Sequence, residues 1–150
     1  IKDTCLDHQV PHINLRPQPW RRLKTQQSER QIPLVGAAQW AAQRLVEEKE
    51  SQWCFPRYTN AEGCNGNSAS AALNKWLKAN FSSEAVVHGF RHSFRDRLRA
   101  VDCQTEMIDQ LGGWSPHNVG GQYGAGFELE KKVIYLRAIA ISSAPAISLS

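Results

Sequence analysis

Apolar and polar positions follow two rhythms along this chain, an early period near two and a later period near 3.6. Residues 10–15 read as a strand, closed by Pro17 and Pro19. Segments 20–25 and 30–34 flank the polar connection Gln26-Gln27-Ser28-Glu29 and predict a β-hairpin. Pro33 falls near its end, where a missing N–H does least harm. From residue 36 the spacing becomes helical, with Trp40, Ala41, Leu45 and Val46 predicting a helix over 36–50. Residues 51–67, with Pro56, Gly63, Gly66 and three Asn, predict a loop. A helix over 68–80 is expected to bury Ala72, Leu73, Trp76 and Leu77, and shorter helices are expected near 88–100 and 104–111. Ser115-Pro116 has the form of an N-cap followed by proline at the first helical position. Leu129, Val133, Leu136 and Ala140 line one side of an amphipathic helix over 128–140. The Ser/Ala/Pro/Ile-rich tail 142–150 is expected to be poorly ordered unless a partner holds it. The pattern predicts an α+β fold, mainly α-helical, with a small antiparallel sheet near the N-terminus.

Size and composition narrow the class. At 150 residues the chain fits one domain with a true hydrophobic core. Hydrophobic residues at 41% and charged residues at 21% are ordinary for a soluble protein. No apolar run approaches the roughly 20 residues of a membrane span, and the opening Ile1-Lys2-Asp3-Thr4 has no secretion-signal pattern, so a cytoplasmic location is expected. A net charge of +4 is compatible with a polyanionic partner and moves the balance only slightly. Cys5, Cys54, Cys64 and Cys103 fit no paired C-x-x-C spacing, and read as small buried or half-buried side chains rather than metal ligands.

Three stretches carry candidate chemistry. On a helix, His88, Arg91, His92 and Arg95 recur at i, i+3, i+4 and i+7 and share a face, while Phe90, Phe94, Leu98 and Val101 form a separate apolar stripe. Two imidazoles and two guanidiniums on one surface repel one another unless an anion joins them, and arginine offers a planar fork of donors suited to phosphate oxygens. A solvated basic face is the plainer reading of this stretch alone. The second stretch is Leu111-Gly112-Gly113-Trp114-Ser115, followed by Tyr123 among Gly120, Gly121, Gly124 and Gly126. A tyrosine hydroxyl, with an ordinary pKa near 10, is a poor nucleophile until cations or a base assist it, and a lone Tyr in a Gly-rich loop usually has no such role. The third is Lys24, near the tip of the predicted hairpin, where lysine is commonly a solubility device.

Together these stretches resemble the tyrosine recombinase (phage integrase) family. His88-Gly89-Phe90-Arg91-His92-Ser93-Phe94 is similar to its helix-borne H-x-x-R box. Leu111-Gly112-Gly113-Trp114 is similar to its Leu-Gly-His/Trp box, and Tyr123 stands nine residues beyond Trp114, the family's interval to the nucleophile. Lys24-Thr25 through Arg30-Gln31-Ile32-Pro33-Leu34 resembles its hairpin lysine, basic residue and Ile-Pro-Leu ending, so the likeness spans about residues 21–126. It implies a tyrosine-recombinase catalytic-domain-like fold and site-specific DNA recombination through a 3′-phosphotyrosine. By position, Tyr123 would attack the phosphate and Arg91 would stabilise its developing charge. His88 would bind the phosphate or assist proton transfer, Lys24 would protonate the departing 5′ oxygen, and Trp114 would donate its indole N–H. His92 would support the site, and no cofactor or metal is implied. Arg21, Arg22 and Arg57 are candidate contacts to the DNA backbone, with solvated surface charge as the plainer reading.

The resemblance also fails in places. The family's other catalytic arginine lies in an R-x-x-E-like box upstream of the hairpin, and residues 1–15 supply none. Residues 1–141 are therefore expected to be a partial catalytic domain, inefficient at cleavage alone, with 142–150 a flexible tail. Aligning Trp114 rather than Gly113 with the family's box preserves the nine-residue interval, although a shift of one position stays open. Expected partners are double-stranded DNA attachment sites and further copies of the chain, as a tetramer on DNA. The apolar stripe of the C-terminal helix would pack in cis or be donated in trans. The alternatives are a type IB topoisomerase-like enzyme and a non-catalytic DNA-binding remnant of an integrase.

Overall fold

The computed structural model describes residues 2–25, 28–48, 50–115 and 126–141. Three strands, β1 (Thr4–Cys5), β2 (His12–Leu15) and β3 (Arg30–Pro33), form an antiparallel sheet in the order β1-β2-β3. Five helices follow: α1 (Gly36–Glu47), α2 (Gly66–Asn80), α3 (Val87–Ala100), α4 (Thr105–Gly112) and α5 (Leu129–Ile139). The expected mainly helical α+β architecture is the observed one. No helix among the described residues is long and apolar enough to cross a membrane.

The sheet pairs differently from the expectation. Segment 20–25 is not a strand, and β3 takes β2 as its partner, with Ile13 opposite Ile32 and His12 opposite Pro33. After Pro17 the chain forms only an isolated bridge, in which Gln18 and Arg21 exchange backbone hydrogen bonds. Trp20 instead meets Trp53 edge to face, with centroids 5.0 Å apart. An aromatic pair buries more surface than an exposed strand edge offers Trp20, which draws this segment away from β3. Lys24 accordingly lies on the long connection between β2 and β3 rather than at a tight hairpin tip.

Helices α3, α4 and α5 supply the core. Leu98, at 0% exposure, packs with Cys103, Met107, Ile108, Leu111 and Leu136, and Phe94, Val101 and Trp114 close over this cluster. Val10, Leu129 and Val133 form a second cluster joined to the first through Val35. Because β3 packs on both α4 and α5, the sheet is fixed to the helix carrying the Gly-Gly-Trp box. The apolar stripe of α5 is buried within this chain. Local caps set the boundaries: the Asn65 side chain accepts from Ser68 N–H at the start of α2, and the Asn74 side chain accepts from Val87 N–H at the start of α3.

Two parts of the predicted apolar pattern face water. Phe90 is 63% exposed, because α3 meets the core through its C-terminal half, at Phe94 and Leu98. On α2 only Leu77 is fully buried, whereas Ala72, Leu73 and Trp76 are exposed. Trp76 packs edge to face against Phe81 at 5.3 Å.

Candidate active site

The Gly-Gly-Trp box is built by the end of α4. Gly113 adopts φ +62°, the left-handed conformation that ends helices, and Trp114 N–H donates to Asp109 C=O at 2.9 Å. Gly112 has a different reason. A Cβ there would lie 1.7 Å from the Trp114 ring, so only the missing side chain lets the indole fold back over the helix. A Cβ on Gly113 would lie 2.4 Å from Arg30 Nη1. The two glycines therefore admit the indole of the next residue and a guanidinium from far earlier in the sequence to the same turn.

The seated indole forms a platform for α3. Arg91 lies over the Trp114 ring at 4.2 Å from its centroid, and Arg95 at 4.7 Å. Arg95 also donates to Asp109 Oδ1 at 2.7 Å, which pairs its charge and leaves Asp109 only 4% exposed. His88 and His92, one turn apart and both exposed, meet edge to face with centroids 5.2 Å apart. The helical spacing thus places all four side chains on one face, and Trp114 gathers the two guanidiniums.

Two further cations join from the other elements. Arg30, the first residue of β3, is half-buried; its Nε–H donates to Leu111 C=O at 3.1 Å and Nη1 to Ser28 C=O at 2.7 Å. Burial, and then the charge of Arg91, push its guanidinium below its ordinary pKa. Lys132 on α5 is 4% exposed, with Nζ 3.5 Å from Gln31 C=O. Burial first, and Arg30 second, lower its pKa. Sequence reading had placed neither residue in a site. Arg30 carried one available signal, a basic residue just before an Ile-Pro-Leu ending; Lys132 carried none, since a lysine on an amphipathic helix ordinarily faces water.

Of the other candidates, Lys24 is exposed and forms no ion pair among the described residues. Arg22 and Arg57 are exposed, with Arg57 beside the Tyr58 ring at 5.7 Å. Arg21 is bound to Asp3 at 2.8 Å and to the Arg16 carbonyl, so its guanidinium is committed within the fold. Tyr123 and the Ser115-Pro116 helix start lie on or beside 116–125, outside the described residues. Both ends of that segment are tied to α4. Ser115 follows the Gly-Gly-Trp turn directly, and Phe127 N–H donates to the Gln110 side chain at 3.0 Å, with Gly126 against the same side chain.

The arrangement holds guanidiniums against an indole and backbone carbonyls, with a single carboxylate, Asp109, at the turn among the described residues, an electrostatic setting that suits an anion. No curated protein and no solved structure is similar enough to this chain to count as a match. A family profile described as the phage integrase family does match, over residues 1–127. That range contains the Lys24 segment, the basic face of α3, the Gly-Gly-Trp turn and Tyr123. The chain belongs to the phage integrase family, the tyrosine recombinases that break and rejoin DNA.

Proposed function

We propose that this chain carries the catalytic machinery of a prophage or mobile-element integrase, which exchanges strands between specific DNA sites. The observation that supports it most is the stacking of Arg91 on Trp114 at the turn leading to Tyr123, inside the matched range. In this reading the Tyr123 hydroxyl attacks the scissile phosphorus. The bond to the 5′ oxygen breaks, a 3′-phosphotyrosine forms, and a 5′ hydroxyl leaves carrying a proton from Lys24. Arg91 donates to the non-bridging oxygens, where charge accumulates and fixed donors count most. His88 binds the same phosphate or takes the tyrosine proton, and His92, packed on its ring, holds it in place. Trp114 cannot shuttle a proton, and it holds Arg91 by its π-face while its N–H serves as a donor. The phosphotyrosine conserves the energy of the phosphodiester, so rejoining needs no nucleotide.

Arg22 and Arg57 are the backbone contacts favoured by their exposure; Arg21, already paired with Asp3, is the weaker one. Double-stranded DNA is the substrate, and further copies of the chain assemble on it. The second reading is a non-catalytic DNA-binding remnant, in which the same basic face of α3 meets the DNA backbone and no bond is cleaved. The test is capture of a covalent adduct on a pool of nicked duplexes with randomised centres, using the full gene product. Adduct that survives denaturant is expected from the native protein and none from Tyr123→Phe. An adduct with the Phe variant overturns the nucleophile assignment, and its absence from the native protein favours the remnant.

A further inference from the structure

The arginines of this protein divide into two groups. Arg16, Arg21, Arg44, Arg95 and Arg99 each have a carboxylate within ion-pair distance. Arg22, Arg30, Arg57, Arg91, Arg97 and Arg137 have none among the described residues; of these six, only Arg30 and Arg91 are half-buried, and both sit at the Gly-Gly-Trp turn, Arg30 against Gly113 and Arg91 over the Trp114 ring. Lys132, buried behind β3 on the Gln31 carbonyl, is likewise without a carboxylate among the described residues. A fold that brings three cations together and gives none of them an acid has left a place for an external anion.

Arg30 is held as a fixed donor. A guanidinium carries five N–H groups; here Nε and one Nη1 hydrogen are spent on the Leu111 and Ser28 carbonyls, which leaves three. Those two bonds and the close backbone of Gly113 restrict the side chain before any ligand arrives. Little entropy is then lost on binding, the condition under which a charged donor contributes most. The same contacts place it on the turn between α4 and the segment bearing Tyr123, on the side of that turn reached from β3.

We propose that Arg30 is a further phosphate-binding residue of this site, its free N–H groups taking oxygens of the DNA phosphate alongside Arg91. The inference rests on the strand-exchange reading only for the identity of that phosphate. Arg91 approaches from α3 and Arg30 from β3, so the two guanidiniums clamp the anion from different elements, with Lys132 adding positive potential from behind. An arginine serving only as a strut between β3 and α4 would make the same two carbonyl bonds and would ignore added phosphate.

The test is titration of the protein with inorganic phosphate, following the Nε–H resonances of its arginines by NMR. Arg30 and Arg91 are expected to shift together with one dissociation constant, while Arg44, paired with Glu48, stays in place. Arg30→Gln is expected to weaken phosphate binding about tenfold, the effect of one charge-assisted contact; Arg44→Gln should leave it unchanged. An Arg30 resonance that phosphate does not move overturns the proposal, and that measurement needs only the native protein, so it stands even if Arg30→Gln fails to fold. A full gene product that shows both shifts yet forms no covalent DNA adduct sinks the strand-exchange reading and leaves the anion site. Adduct formation at equal rates by the native protein and Arg30→Gln, with Arg30 unmoved by phosphate, removes Arg30 alone.

Discussion

Gly112 and Gly113 are adjacent and identical in type, yet they are glycine for different reasons. Gly113 must take positive φ and lie against Arg30, whereas Gly112 makes room for the Trp114 ring. Gly112→Ala is therefore expected to displace the indole and with it the platform under Arg91 and Arg95. Overpacking of this kind costs about 1–3 kcal/mol, measurable by urea unfolding, and cleavage should fall by more than the lost stability explains. If the variant keeps native stability and activity, the indole does not need its seat on Gly112. His88, Arg91, His92 and Arg95 were legible as one face from spacing alone, since helical geometry is local. Arg30 and Lys132 were not, because their partners lie far along the chain, at Leu111 for the one and Gln31 for the other.

At the scale of elements, burying Lys132 on α5 sets a stability cost with a definite pH signature. Its folded pKa lies below its ordinary value, so between the two the unfolded chain binds the extra proton. Stability should therefore rise as pH climbs through that window towards the ordinary lysine value, and the penalty is fully present below the folded pKa. Cys103, whose thiol burial pushes up, works in the opposite sense, because the unfolded chain loses that proton first. Comparing thermal midpoints of the native protein and Lys132→Met from pH 7 to about 10 isolates the lysine. The variant should be the more stable near neutrality, and the gap should narrow as pH rises; a constant gap shows that the lysine pays no titratable penalty. Helix existence was legible for all five helices, but burial was not. Periodicity marks which face of α2 is apolar, and Leu73 and Trp76 stay exposed because no described element covers them. Strand pairing was misread for a similar reason: Trp20 finds Trp53, and nothing local to segment 20–25 reports that partner.

Across the whole molecule, helices α3 and α4, strand β3 and helix α5 converge to put like charges around one turn. An anion bound there, as proposed, would relieve that repulsion, which links ligand and fold. At ten times its dissociation constant, phosphate should stabilise the protein by about 1.4 kcal/mol, or about 3–5 °C in melting temperature. Sodium chloride at matched ionic strength should give less, because chloride carries one charge and has no separate oxygens to offer each guanidinium fork; an equal shift reduces the effect to screening.

The order and intervals of the motifs, the mainly helical class with its small sheet, and the cationic face of α3 were all properties of the linear chain. They depend on backbone periodicity and on distances counted in residues, which survive in any register of packing. Which strand pairs with β3, which apolar side chains find cover, and which cations meet at the Gly-Gly-Trp turn are set instead by contacts between distant segments. Arg30 and Arg91 are 61 positions apart in sequence, and only the docking of β3 on α4 brings Arg30 against Gly113, next to the Trp114 ring on which Arg91 stacks.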